Sequence, residues 1–206
     1  TTRTQGFDDG AIHLAGNKND YISFPTEAFT GCDDVTISMW IKLSPDIARM
    51  YRTFCPALLT VGQTGNYFVL SPNIWDSGRP RCALATNAIE EDVWPGGIVT
   101  ANQWAKWSNL VITKSGDTAS IYLDGVLLGT DTIANSFAAL AGLGQARIGS
   151  SHIFADASIK GEFEDFKIYN RAMSADEIIS NIELETAKSY DDLQQLIKTN
   201  EQKTEE

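Results

Sequence analysis

The chain has 206 residues, 43% of them hydrophobic, and a formal net charge of −11. So acidic a surface repels phosphate backbones and no Lys/Arg cluster offsets it, which argues against nucleic-acid binding and leaves neutral sugars, cations and basic partners open. The length suits one domain with an appendage or two very small ones, and no apolar run approaches a membrane span.

The first ten residues, TTRTQGFDDG, lack the basic start and apolar stretch of a secretory signal, as expected of an excised piece or a mature product. GAIHLAG and DYISFP then read as short alternating strands joined by the turn-rich NKND. In DVTISMWIKL, Val35, Ile37, Met39 and Ile41 fall on one face, with Thr36, Ser38, Trp40 and Lys42 opposite. PALLTVG and NYFVLS flank the hairpin-length loop Gln63-Thr64-Gly65, and RCALAT follows a longer loop holding Trp75 and Gly78. WSNLVIT, TASIYLDG and VLLGT come next, connected through Ser115-Gly116-Asp117 and Asp124-Gly125. QARIGS and GEFEDFKIY complete a set of ten to twelve short strands. With almost no helical periodicity before residue 174, the pattern predicts an all-β, two-sheet antiparallel jelly-roll sandwich and argues against alternating β-α units.

Helix is expected only from Ser174. Ser174-Ala175-Asp176-Glu177 forms a capping box, and Ile178, Ile179 and Ile182 make an apolar stripe suited to packing on the sandwich. A second helical pattern starts near Ser189, with Leu193, Leu196 and Ile197, and ends in the polar TNEQKTEE, read as a tail or the start of a linker. The expected division is a sandwich over 1–182 and a C-terminal α-helical appendage with linker over 183–206. Cys32, Cys55 and Cys82 cannot all pair, and no spacing suggests zinc. They read as small, partly buried thiols, with a Cys55–Cys82 bridge left open.

Four segments resemble laminin-G-like, concanavalin A-like lectin/glucanase jelly rolls of bacterial glycan-active proteins. DDGAIHLAGNKNDYISFP resembles the opening strands, VTISMWIK the Thr-Ile-Ser-x-Trp strand, WSNLVITKSGDTASIYLDGVLLGT the Tyr-Leu-Asp-Gly hairpin, and FEDFKIYNRAMSADEI the closing strand and helix start. The match keeps the family's order over roughly residues 6–182. It departs at Glu164, where Asp is usual, and in the long middle between Ser44 and Thr100. The resemblance implies a two-sheet sandwich of a kind often fused to secreted or cell-surface glycoside hydrolases, often binding carbohydrate and often carrying calcium.

Calcium takes six to eight oxygens, and Asn17-Lys18-Asn19-Asp20 is a dense source of them. With first and last strands side by side, as the resemblance implies, Asn19 and Asp20 would approach Glu164 and Asp165 and share one structural calcium. On an unbulged strand Glu162 and Glu164 would share a face, but they do not match the Glu-x-Asp-x-Glu pattern of jelly-roll glucanases, so no catalytic residue is assigned. Trp40 and Trp107 occupy positions the family also fills and read as architectural. Trp75, Trp94 and Trp104, with Tyr51, lie in the loop-rich middle and suit stacking on sugar rings. Arg79 and Arg81 would donate to hydroxyls or acidic sugars. His152 reads as a polar loop residue. The expected function is a non-catalytic carbohydrate-binding module that tethers a linked catalytic domain to its polysaccharide, secreted or at the cell surface. The rival is a structural, interdomain module that binds no glycan.

Overall fold

A computed structural model describes residues 2–4, 10–44, 56–73 and 77–204. In chain order the strands are β1 (Thr2–Thr4), β2 (Ala11–Ala15), β3 (Ile22–Phe24), β4 (Val35–Leu43), β5 (Leu59–Gln63), β6 (Asn66–Ser71), β7 (Arg81–Thr86) and β8 (Ile89–Val93). After the single-turn helix α1 (Ala101–Trp104) come β9 (Ser108–Ser115), β10 (Thr118–Leu123), β11 (Val126–Thr132), β12 (Gln145–Ile148), β13 (Lys160–Tyr169) and the helix α2 (Ala175–Thr204). The strands form two antiparallel sheets. One has seven strands in the order β1-β2-β13-β4-β9-β10-β11, the other six in the order β3-β12-β5-β6-β7-β8. This is the predicted sandwich.

The period-two alternation decides what each sheet buries. Val35, Ile37, Met39 and Ile41 of β4 face inward with Leu110 and Ile112 of β9 and Ile121 of β10. They meet Leu59 and Val61 of β5, Phe68 and Leu70 of β6, and Cys82 and Leu84 of β7 from the other sheet. Each such side chain contributes roughly 1.5–3 kcal/mol on burial, so the two inner faces dominate the stability. Cys32 and Cys82 are buried free thiols in this core, and burial pushes the Cys82 thiol up to about 12. Cys55 lies outside the described residues.

The chain's head and tail meet as expected. Gly161 of β13 pairs with Leu14 of β2, and on its other side with Leu43 of β4. The register of β13 against β4 then shifts between Glu164 and Lys167, with Asp165 at φ +51°. This bulge overrides the simple alternation expected for the acidic strand.

The outer face of the seven-stranded sheet is covered by α2. Ser174 Oγ accepts from the Glu177 N–H and Glu177 reaches back to the Ser174 N–H, which fixes the helix start. Ile178 and Met173 pack on Val111, with Ile182 and Tyr122 beside them. The Trp40 indole N–H donates to Glu185 at 2.6 Å, and Lys167 pairs with the same carboxylate at 2.7 Å. The helix runs unbroken to Thr204, where the sequence suggested two separate helical patterns. Among the described residues, no helix is long and apolar enough to cross a membrane.

Three further elements escaped the sequence reading: β1, which pairs with β2 at the head of the chain, β8 and α1. β8 pairs with β7 through a turn at Asn87 and Ala88, both with positive φ. Ala88 is unusual there, so the hairpin lacked its Asn-Gly signature. α1 is capped by Thr100 and Gln103, a box too short to show helical periodicity.

Candidate functional site

With α2 on the seven-stranded sheet, the six-stranded sheet keeps its outer face for other use. Its outward residues follow from the same alternation. They are Ser23 of β3, Gln145 and Arg147 of β12, Thr60 and Gly62 of β5, Tyr67, Val69 and Ser71 of β6, Arg81, Ala83 and Ala85 of β7, and Glu90 and Asp92 of β8. Their neighbours in sequence face the core. The register places Ser23, Arg147, Thr60, Val69, Ala83 and Asp92 in one row across the sheet.

At the β7–β8 end stands a charged cluster. The Arg81 side chain is only 7% exposed, and its Nε donates to Asp92 at 2.8 Å while Nη2 donates to Glu90. Burial alone would lower its pKa, but the two carboxylates more than offset this and hold the guanidinium above its ordinary value. The Tyr67 hydroxyl donates to the second Glu90 oxygen at 2.6 Å, and burial together with Glu90 raises its pKa. The polar groups of this end are therefore fixed before any ligand arrives.

The connection from β12 to β13 crosses this same face. The carbonyl of Gly62 can only accept, so His152 Nε2–H donates to it at 2.8 Å, which leaves Nδ1 as acceptor 3.2 Å from Thr60 Oγ1. Burial lowers the His152 pKa despite the Gly62 bond, and Arg147 lowers it further. Phe154 stands edge-on to Tyr67, ring centroids 5.0 Å apart, and is 39% exposed. Burial raises the Asp156 carboxyl to about 6, and the nearby positive charge of Arg81 only partly opposes it. At the opposite end, the Arg147 guanidinium lies 4.0 Å over the Tyr21 ring and donates through Nε and Nη2 to Gln145. Beside it is a cavity of about 440 Å³ lined by Tyr21, Ser23, Thr26, Glu27 and Gln145, among others.

The residues expected from sequence are distributed unevenly around this face. Arg81 sits at its charged end. Arg79 lies half-buried just before β7, its backbone N–H bonded to Ser77 Oγ. Trp94 follows β8 at the sheet edge and is 48% exposed. Trp104 is fully buried in the core, so its ring faces are not available for a sugar, which corrects the stacking role expected of it. Its apolar ring fills the space under the single-turn helix. Tyr51 and Trp75 lie outside the described residues. Tyr67, Glu90, Asp92, Phe154 and Asp156 were missed. Glu90 and Asp92 show the period-two spacing that puts both on one face, but only once β8 is recognised as a strand.

The expected calcium ligands, Asn19, Asp20, Glu164 and Asp165, come from two parts of the seven-stranded sheet's edge region. The Asn17–Asp20 turn follows Ala15, which pairs with Lys160, four residues before Glu164. At the strand rise that separation is about 13 Å. Asp20 accepts from the Ala15 N–H, and Asp165 pairs with Lys167. Among the described residues no group of three or more His, Cys, Asp or Glu side chains is placed to hold a metal.

Comparison with solved structures gives the same fold at low sequence identity. Domain 4 of AbnA, a GH43 extracellular arabinanase of Geobacillus stearothermophilus in complex with arabinotriose, superposes with a TM-score of 0.68 at 17% identity, covering 87% of this chain and 79% of that one. The CBM40 of Ruminococcus gnavus IT-sialidase, bound to α2,3 sialyllactose, gives 0.63 at 14% identity, covering 84% and 96%. The binding domain of Paraclostridial Mosquitocidal Protein 1 gives 0.69 at 16% identity, with 88% of this chain against 45% of that one. Curated protein sequences yielded no match. The sequence profile described as concanavalin A-like lectin/glucanases superfamily matches residues 15–179, most of the sandwich and the start of α2. The chain belongs to the concanavalin A-like lectin/glucanases superfamily.

Proposed function

We propose that the chain is a non-catalytic carbohydrate-binding module whose ligand lies on the outer face of the six-stranded sheet. The observation that carries this reading is the pairing on that face of an exposed aromatic ring, Phe154, with the prefixed polar cluster of Arg81, Glu90, Asp92 and Tyr67. A sugar ring offers an apolar C–H face for the aromatic and hydroxyls for the fixed acceptors. Glu90 and Asp92 are both ion-paired to Arg81, so their carboxylates are held in place as acceptors. The neighbours that bind arabinotriose and sialyllactose support the reading by analogy of fold. As part of a larger secreted glycan-processing enzyme, even weak binding would raise the local concentration of substrate.

A glycan array and affinity gels test it. Phe154→Ala should weaken retention while the protein stays folded. Unchanged retention by a Phe154→Ala, Arg81→Met double variant would remove this face from the reading. Reducing-sugar release from any bound glycan would replace it with an enzyme. The rival interdomain reading has its own observation: Val126 and Leu127 on the β10–β11 hairpin, and Ile179 on α2, are all exposed. It predicts a module that binds no glycan on any array.

A further inference from the structure

The charges on the ligand face define a class of sugar. Arg81 is the cation held within this end of the sheet, with Arg79 two residues before it, and both of the described Arg81 side-chain contacts go to carboxylates. The Glu90 and Asp92 side chains remain about one-third exposed, at 35% and 34%. They therefore keep acceptor lone pairs toward solvent while Arg81 is buried behind them. Asp156, on the crossing connection, adds a third carboxylate near Arg81. Its pKa of about 6 leaves it ionised at pH 7.5. Glu90, Asp92 and Asp156 thus set three carboxylates around the single charge of Arg81, in a chain whose net charge is −11. Arg147 is a further guanidinium on this face. It lies on β12, three strand spacings from β7, or about 14 Å away, and is engaged with Tyr21 and Gln145.

Resting on the glycan-binding reading above, we infer that the Phe154–Arg81 end of this face takes neutral, hydroxyl-donating glycans and rejects sugars bearing carboxylate or sulfate. Hydroxyl groups donate to Glu90 and Asp92 without displacing the ion pairs. An anionic sugar would have to break an Arg81 pair or approach three carboxylates, and like charges at such range are repelled. This replaces the role first expected of Arg81, as a donor to acidic sugars, with that of a clamp that aims two acceptors outward.

The test is a glycan array probed at pH 7.5 and low salt, carrying neutral oligosaccharides beside sialylated and uronate counterparts. Neutral members should bind at least about tenfold more tightly than matched acidic ones. Glu90→Gln and, separately, Asp156→Asn should narrow that ratio, with a melting curve on each variant to confirm folding. The wild-type ratio decides the matter even if a variant fails to fold. Acidic members bound as tightly as neutral ones overturn the inference while leaving glycan binding intact, and loss of that acidic binding in Arg147→Ala would assign it to the other end of the face. No binding to any member removes the glycan-binding reading and this inference with it.

Discussion

The rings of Phe24 and Phe166 lie 4.9 Å apart between centroids, tilted by 48°. They come from different sheets and from opposite ends of the chain, since β3 belongs to the six-stranded sheet and β13 to the seven-stranded one. The pair closes the sandwich where β13 bulges, beside an apolar pocket that Ile12, Ile22 and Met39 also line. Phe166→Ala should therefore cost about 2–4 kcal/mol in urea unfolding, by lost burial and the cavity left behind. A change below 0.5 kcal/mol would show that the two ends of the chain do not depend on this contact.

Trp40→Phe keeps most of the ring volume but removes the indole N–H that holds Glu185 of α2. The expected loss is about 1.5–3 kcal/mol, as for a hydrogen bond to a charged group. Glycan retention should not change, because α2 and the proposed glycan face lie on opposite sides of the sandwich. Equal losses of stability and retention would contradict that separation.

Trp94→Ala and Trp104→Ala should behave differently. Trp104 is buried in the core, so its removal should destabilise by about 3–5 kcal/mol. Trp94 is half exposed at the β8 edge, so its truncation should shift the melting temperature by only a few degrees. Comparable melts for the two variants would mean that Trp104 does not support the fold.

Asp156 gives a pH dependence with a defined sign. Its folded pKa of about 6 stands above the ordinary 3.8 because burial disfavours the charge. Its contribution to stability is therefore fully present below about 3.8 and is lost as pH rises through about 6. Asp156→Asn should melt higher than wild type at pH 8 and equally at pH 3.5. The carboxyl is half buried, so after solvent screening the gain is on the order of 1 kcal/mol, or about 2–4 °C. His152 titrates with the opposite sense, since its depressed pKa costs stability as pH falls below the ordinary 6.5. The difference between variant and wild type isolates the aspartate. A variant that is less stable at pH 8 would reverse the assignment.

Chelation offers the check on the metal expectation. With Asn19 and Asp20 separated from Glu164 and Asp165 along β13, EDTA should leave the melting temperature unchanged within about 1 °C. A drop of many degrees that calcium reverses would show that the ligands meet in a way this register does not provide.

Much of the architecture was legible in the sequence because side-chain alternation is a local property. Ile37 and Met39 must point opposite to Ser38 and Trp40 on any strand, and the face that is apolar must be buried. The Ser174–Glu177 box likewise announces its helix from four residues alone. By itself, then, the sequence determined a two-sheet β sandwich ending in a capped helix, along with an acidic surface. Tertiary structure alone decided which sheet face stays free of the helix and which side chains gather there. Which face α2 covers, that the chain crosses the other face with His152 and Phe154, and that Arg81 is buried between Glu90 and Asp92 all depend on pairings between distant strands. Arg81 and Trp104 look alike in sequence as polar or aromatic residues of a loop-rich middle. Only packing sends one to a sheet's outer face and the other to the core, because burial is set by what lies across from a residue in space.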